Sequence, residues 1–174
     1  MAEPADIPPD DRDWTYVITD GCSDCGFTPQ APETTGDRLR ATIPPWTQAL
    51  SDGAATQRRE PTVWSALEYG CHVRDASRIF RERLELMLAV DDPGFANWDQ
   101  DATALEERYF TQRPDVVASE LAEQLSATAA AFDTVGPDQW ARTGRRSNGS
   151  FFTVATLAVY FLHDIEHHID DVTR

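Results

Sequence analysis

Three of the four histidines in this 174-residue chain fall in one short run, Phe161-Leu162-His163-Asp164-Ile165-Glu166-His167-His168-Ile169-Asp170-Asp171. At 3.6 residues per helical turn, His163 and His167 share one face, the spacing at which two imidazoles grip one metal ion. The fourth histidine, His72, lies in a second helical pattern, residues 64–75. Three neutral imidazoles with an open coordination position describe a catalytic rather than a structural metal site. The predicted ligand set is therefore His72, His163 and His167. Phe152, Thr156, Val159, His163 and His167 follow one line at helical steps, so the two histidines extend a core-facing stripe. Two desolvated imidazoles on one face need a shared partner, and a divalent cation is the usual one. The plainer alternative is a pair of polar residues, each satisfied separately at the end of a helix.

Carboxylates stand at helical spacing from these histidines. Glu68 lies four residues before His72, Asp75 three after it, and Asp171 four after His167, so each is a candidate to accept the free N–H of a ligating imidazole. Glu166 and Asp170 read as solvated helix carboxylates. His168 is about 100° round the helix from His167 and reads as a surface residue or a partner to a ligand. Cys22 and Cys25 form a Cys-x-x-Cys pair that admits three readings: half of a zinc site, a redox pair, or two plain thiols. Two cysteines do not complete a tetrahedral zinc site. Cys71 and His168 remain as further donors, with nothing in the sequence to show that they converge. The basic loop 142–150 carries Arg142, Arg145 and Arg146, which either hold an anionic cosubstrate or pair with the acidic surface.

The elements that must position these groups are helices. Residues 35–50 form a first one, with Pro44 and Pro45 kinking or interrupting it and Asp52-Gly53 ending it. Ser65-Ala66-Leu67-Glu68 is a capping box, followed by Tyr69, Val73, Ala76, Phe80, Leu84 and Met87 at three- and four-residue steps to about Val90. Asp91-Asp92-Pro93-Gly94 stops that helix, and a loop over 95–101 precedes a short helical piece at 104–110. Pro114 opens a third long helix with Val117, Leu121, Leu125, Thr128 and Phe132 on one stripe, closed by Gly136-Pro137. Thr153 caps the last. Four principal helices with strand-poor connections predict an all-α bundle over residues 34–174, preceded by an arm, residues 1–33, whose first twelve residues lack fixed structure.

Composition narrows the function. Thirty acidic against fifteen basic residues give a formal charge of −15, a field that repels nucleic acid and anionic membranes. All the basic residues are arginine, as in chains from GC-rich genomes. No run approaches the roughly 18 apolar residues of a membrane span, and the first residues have neither a basic start nor an apolar segment. Three cysteines are too few for a disulfide-stapled secreted domain. A soluble cytoplasmic protein acting on a small molecule is expected, with pairing of bundle helices into a homodimer allowed.

Trp64-Ser65-x-x-Glu68-Tyr69-x-x-His72-x-x-Asp75 and His163-Asp164-x-x-His167-His168 resemble the two signature helices of the DinB superfamily. The resemblance runs from about residue 35 to 172. It extends to actinobacterial members with an N-terminal Cys-x-x-Cys-Gly arm and an Asn-Trp-Asp-Gln-Asp loop like residues 97–101. It implies a four-helix bundle in up-down-down-up order, holding zinc or nickel on positions that fall on His72, His163 and His167. It also implies a thiol-dependent transferase, in which the metal activates a low-molecular-weight thiol such as mycothiol. A hydrolase using metal-activated water, and a non-catalytic stress-response module stapled by its metal, are the rival readings.

Overall fold

A computed structural model of the chain describes residues 7–174. The expected unstructured segment therefore lies outside the described residues up to residue 6, and residues 7–13 run without helix or strand. They are nonetheless tied down: Trp14 Nε1 donates to Asp10 at 2.7 Å and Arg12 pairs with Asp24 at 2.9 Å. A 3-10 turn, Trp14–Tyr16, leads into the short helix α1, Val17–Asp20, and α1 packs against the last helix of the chain. Val17, Cys22 and Phe27 belong to the buried core, so this arm is part of the globule.

Four long helices make the bundle: α2 (Thr35–Ser51), α3 (Ala66–Ala89), α5 (Pro114–Asp133) and α6 (Val154–Thr173). α2 and α3 each pack against both α5 and α6. This is the four-helix bundle that the sequence predicts. The Ser65 and Glu68 capping box starts α3, Thr153 caps α6, and Pro114 occupies the first turn of α5, where its missing N–H costs nothing. The predicted stripes are buried in α5, at Val117, Leu121, Leu125, Thr128 and Phe132, and in α3 from Val73 through Ala76, Phe80, Leu84 and Met87, with Tyr69 half-buried. In α6 the core face is instead Val154, Leu157, Ala158, Phe161, Leu162 and Ile165, and of the predicted line Thr156, Val159 and His167 are half-buried. α2 continues through Pro44 and Pro45. Its buried stripe of Leu39, Thr42, Trp46 and Leu50 runs across the prolines, and packing of that stripe outweighs the lost hydrogen bonds.

The connections hold more order than their sequence suggests. β1 (Gly94–Phe95) pairs in parallel with β2 (Thr143–Arg146), which pairs antiparallel with β3 (Phe151–Thr153). The expected basic loop is thus a hairpin turned at Gly149, whose φ of 97° suits glycine. Arg83, buried in α3, donates to the Ala96 carbonyl at 2.9 Å and lies 5.0 Å from the Phe95 ring. Burial pushes its guanidinium down to about 10. It anchors the segment that continues through Trp98 into α4, Gln100–Glu106. Among the described residues no helix is long and apolar enough to cross a membrane.

Candidate metal centre

The last helix carries donors on two adjacent faces, and each face meets a different partner. One face, residues 164 and 168, turns to α3. His72 Nε2 lies 3.2 Å from Asp164 Oδ2, and His168 Nε2 lies 3.5 Å from Asp164 Oδ1. One donor atom from each of His72, Asp164 and His168 falls within 4.8 Å of the others. Two ligands about 2.1 Å from one ion stand about 2.9 to 3.4 Å apart at octahedral or tetrahedral angles, so the His72 to Asp164 distance fits ligation. His72 is buried, and its Nδ1 has no hydrogen-bond partner among the described residues. Trp98 stacks on His72 at 5.3 Å and Trp64 flanks it at 5.5 Å, fixing the ring.

Asp171 completes this group from behind by accepting from His168 Nδ1 at 2.9 Å. A carboxylate on the far nitrogen fixes the tautomer and orientation of a ligating imidazole. Burial opposes a charge on His168, but its hydrogen bonds to Asp164 and Asp171 prevail and raise it to about 9. Against its own burial, Asp164 is held well below the usual carboxylate range by His72 and His168.

The other face, residues 163 and 167, turns to the arm. His163 and His167 rings are 5.1 Å apart, and Cys22 Sγ lies 3.7 Å from His167 Nδ1. One donor atom from each of Cys22, Cys25, His163 and His167 lies within 4.8 Å of the others. Trp14 covers both imidazoles at 5.4 and 5.1 Å, and Phe27 meets His163 edge-on at 5.2 Å. Burial, with His167 adding, pushes His163 down to about 4, so it is neutral at physiological pH.

A polar cavity of about 670 Å³ opens over this end of the bundle. His163, Asp164, His167, His168 and Asp171 line it, together with arm residues 10–14, the segment 97–101 and Arg146. Asp101 stands in this wall, its carboxyl raised by burial and by Asp99 and Asp10 against a hydrogen bond from the Asp10 backbone.

The predicted triad is thus distributed between two groups: His72 meets Asp164 and His168, while His163 and His167 meet the cysteines. Of the predicted supporting carboxylates, Asp171 touches both groups, at 3.8 Å from His167 Nε2 and 2.9 Å from His168. Glu68 is committed elsewhere, to Arg58 and to the Ser65 cap. Asp75 accepts from the Tyr109 hydroxyl at 2.5 Å and from Arg74 at 2.9 Å. Two of the loop arginines pair with acids, Arg142 with Asp91 and Arg145 with Asp92, whereas Arg146 reaches the cavity.

The model of the DinB superfamily matches residues 35–171, most of the chain. The chain belongs to the DinB superfamily. Among solved structures it is similar to YfiT from Bacillus subtilis, described as a probable metal-dependent hydrolase with an unusual four-helix bundle topology. The two share 18% identity at a TM-score of 0.71, over 82% of this chain and 86% of that one. No curated protein matches. In this DinB-superfamily chain sequence reading passed over Asp164 and kept His168 only as a surface residue, a partner to a ligand or a donor beside the cysteines. Their signal was present, since Asp164-x-x-x-His168 has the same i, i+4 spacing as His163-x-x-x-His167, one residue further on.

Proposed function

We propose that this chain is a metal-dependent S-transferase whose ion, zinc or nickel, is held by His72, Asp164 and His168, and whose cosubstrate is a low-molecular-weight thiol of mycothiol type. The observation that carries the reading is the convergence of two imidazoles and one carboxylate, of which Asp164 and His168 line the 670 Å³ cavity. Three protein donors leave coordination positions free, the arrangement of catalytic rather than structural sites. A bound divalent ion supplies Lewis acidity that favours the deprotonated form of a thiol or of water near neutral pH.

The chain's own residues do the rest. Trp64 and Trp98 hold the His72 ring, and Asp171 orients His168. Asp101, with its raised carboxyl, takes the proton that the thiol gives up. Asp10, Asp11, Asp13 and Asp99 make the rim acidic, which disfavours an anionic cosubstrate. Carboxylates beside Asn97, Gln100, Asn148 and Ser150 suit a polyhydroxylated thiol, whose hydroxyls can donate to the former and exchange hydrogen bonds with the latter. Trp14, Trp98 and Tyr160 offer apolar faces for a sugar ring or an electrophile.

The same cavity would serve hydrolysis, with Asp101 accepting a proton from water, and that is the second reading. Metal-loaded protein and a His72→Ala, His168→Ala variant are to be assayed on small electrophiles with and without mycothiol, and on esters and amides without thiol. Turnover that needs the thiol and disappears in the variant is expected. Thiol-free hydrolysis that disappears in the variant would replace the transferase by the hydrolase. Turnover that persists in the variant would overturn the site.

A further inference from the structure

The cysteine pair of the arm plays no part in that chemistry, yet it stands against two histidines that the cavity does not require. We propose that Cys22, Cys25, His163 and His167 form a second, structural zinc site that pins the N-terminal arm across α6. Four soft and borderline donors, two sulfurs and two imidazoles, are the Cys2His2 set of structural zinc. Ligand atoms of sulfur and nitrogen in a zinc tetrahedron lie about 3.5 Å apart, given bond lengths of about 2.3 and 2.0 Å. Cys22 Sγ and His167 Nδ1 lie 3.7 Å apart.

The local backbone has the form such a site needs. Gly26 N–H donates to the Cys22 carbonyl at 2.9 Å and Cys22 N–H to the Phe27 carbonyl at 2.9 Å, so both sulfurs project from one tight turn. Gly21 and Gly26 sit at φ of 72° and 76°, which lets the chain turn on either side of the pair. Burial pushes the Cys25 thiol up to about 11, against the Phe27 N–H that donates to its sulfur. Behind the imidazoles, Asp171 lies 3.8 Å from His167 Nε2, on the nitrogen opposite to the one that faces Cys22.

Cys22 and His163 are buried, and His163 Nε2 has no hydrogen-bond partner among the described residues. Leaving such a nitrogen unpaired costs about 1 to 3 kcal/mol. Zinc binding would convert two thiols to two thiolates and release two protons to solvent, so the dication and two thiolates sum to a neutral, buried unit. The two groups on α6 therefore differ in kind. His72, Asp164 and His168 supply three ligands, whereas the cysteine group supplies all four, its two imidazoles also reaching the cavity wall. Its effect on function is indirect: by fixing the turn at residues 22–25 it holds residues 10–14 in place as one wall of the cavity.

The test uses the full chain, purified without a retained polyhistidine tag and loaded with cobalt(II), a zinc substitute whose thiolate bonds absorb in the near ultraviolet. Wild type is expected to hold two ions per chain and to show the thiolate band. Cys22→Ser with Cys25→Ser should hold one ion and lose the band, and His72→Ala with His168→Ala should hold one ion and keep it. Absence of the band from the wild type, with both thiols shown to be reduced, overturns the proposal without any reliance on a variant's folding. Retention of both ions by a folded double-serine variant also overturns it. Loss of the cavity ion alone would sink the proposed function and leave this site standing.

Discussion

His163 and His168 are five residues apart on one helix and are driven in opposite directions. Burial pushes His163 down to about 4, while Asp164 and Asp171 raise His168 to about 9 against its burial. In metal-free protein the sign of each effect follows from linkage. His163, depressed below the ordinary 6.5, contributes stability that is present above that pH and lost as pH falls toward 4. His168, raised above 6.5, contributes stability that is complete below that pH and lost as pH rises through 9. Metal-free protein is therefore expected to melt at its highest temperature near pH 6 to 7. A His168→Asn variant should show a flatter alkaline limb, the difference being on the order of 3 kcal/mol across that limb. Calorimetry from pH 5 to 10 checks this, and an unchanged alkaline limb would contradict it. The histidines and Asp171 were visible in sequence, but the other partners were not. A carboxylate is so common on an acidic helix that Asp164 carries little signal alone, and which of two adjacent faces meets α3 depends on how α6 is rotated in the bundle.

At the scale of elements, α6 is the part that both donor groups share. Asp171, near its end, accepts from His168 and lies 3.8 Å from His167, so one carboxylate orients an imidazole in each group. Asp171→Asn should weaken retention of both ions by about 10- to 100-fold, the usual cost of removing a carboxylate behind a ligating histidine. Competition with a chelator of known affinity measures this, and weakening at one site alone would show that Asp171 serves only that one. The helices around it were readable because caps and stripes are local: Ser65 with Glu68, Thr153, and the apolar steps of α3 and α5. The three-stranded sheet was not. Its strands are two to four residues long and pair residue 94 with 145 and 144 with 152, and partners so distant leave no periodicity in either segment. Glu68 and Asp75 misled for a related reason. Spacing along α3 placed them near His72, but the bundle offered Arg58, Tyr109 and Arg74 as closer partners.

At the scale of the whole molecule, the arm closes one end of an acidic bundle. Its residues carry no long apolar stripe, so little in its own sequence holds it to a globule of net charge −15. Three attachments do so in the structure: Val17 and Phe27 enter the core, the Asp24 carbonyl accepts from Arg174, and the Cys22 to Cys25 turn meets α6. The second is an exposed hydrogen bond, which contributes about 1 kcal/mol. A zinc ion in the third would dominate, because structural zinc binding is itself folding free energy. Arg12 reports on this state, since it lies 4.3 Å over the ring of Trp14, which packs on His163 and His167 of α6. Trypsin should therefore cut after Arg12 at least tenfold faster once both ions are stripped by a chelator, and readdition of zinc should restore protection. Mass spectrometry of the N-terminal fragment follows the cut. Equal rates with and without metal would mean that apolar packing alone holds the arm, and that the wall of the cavity does not depend on its cysteines.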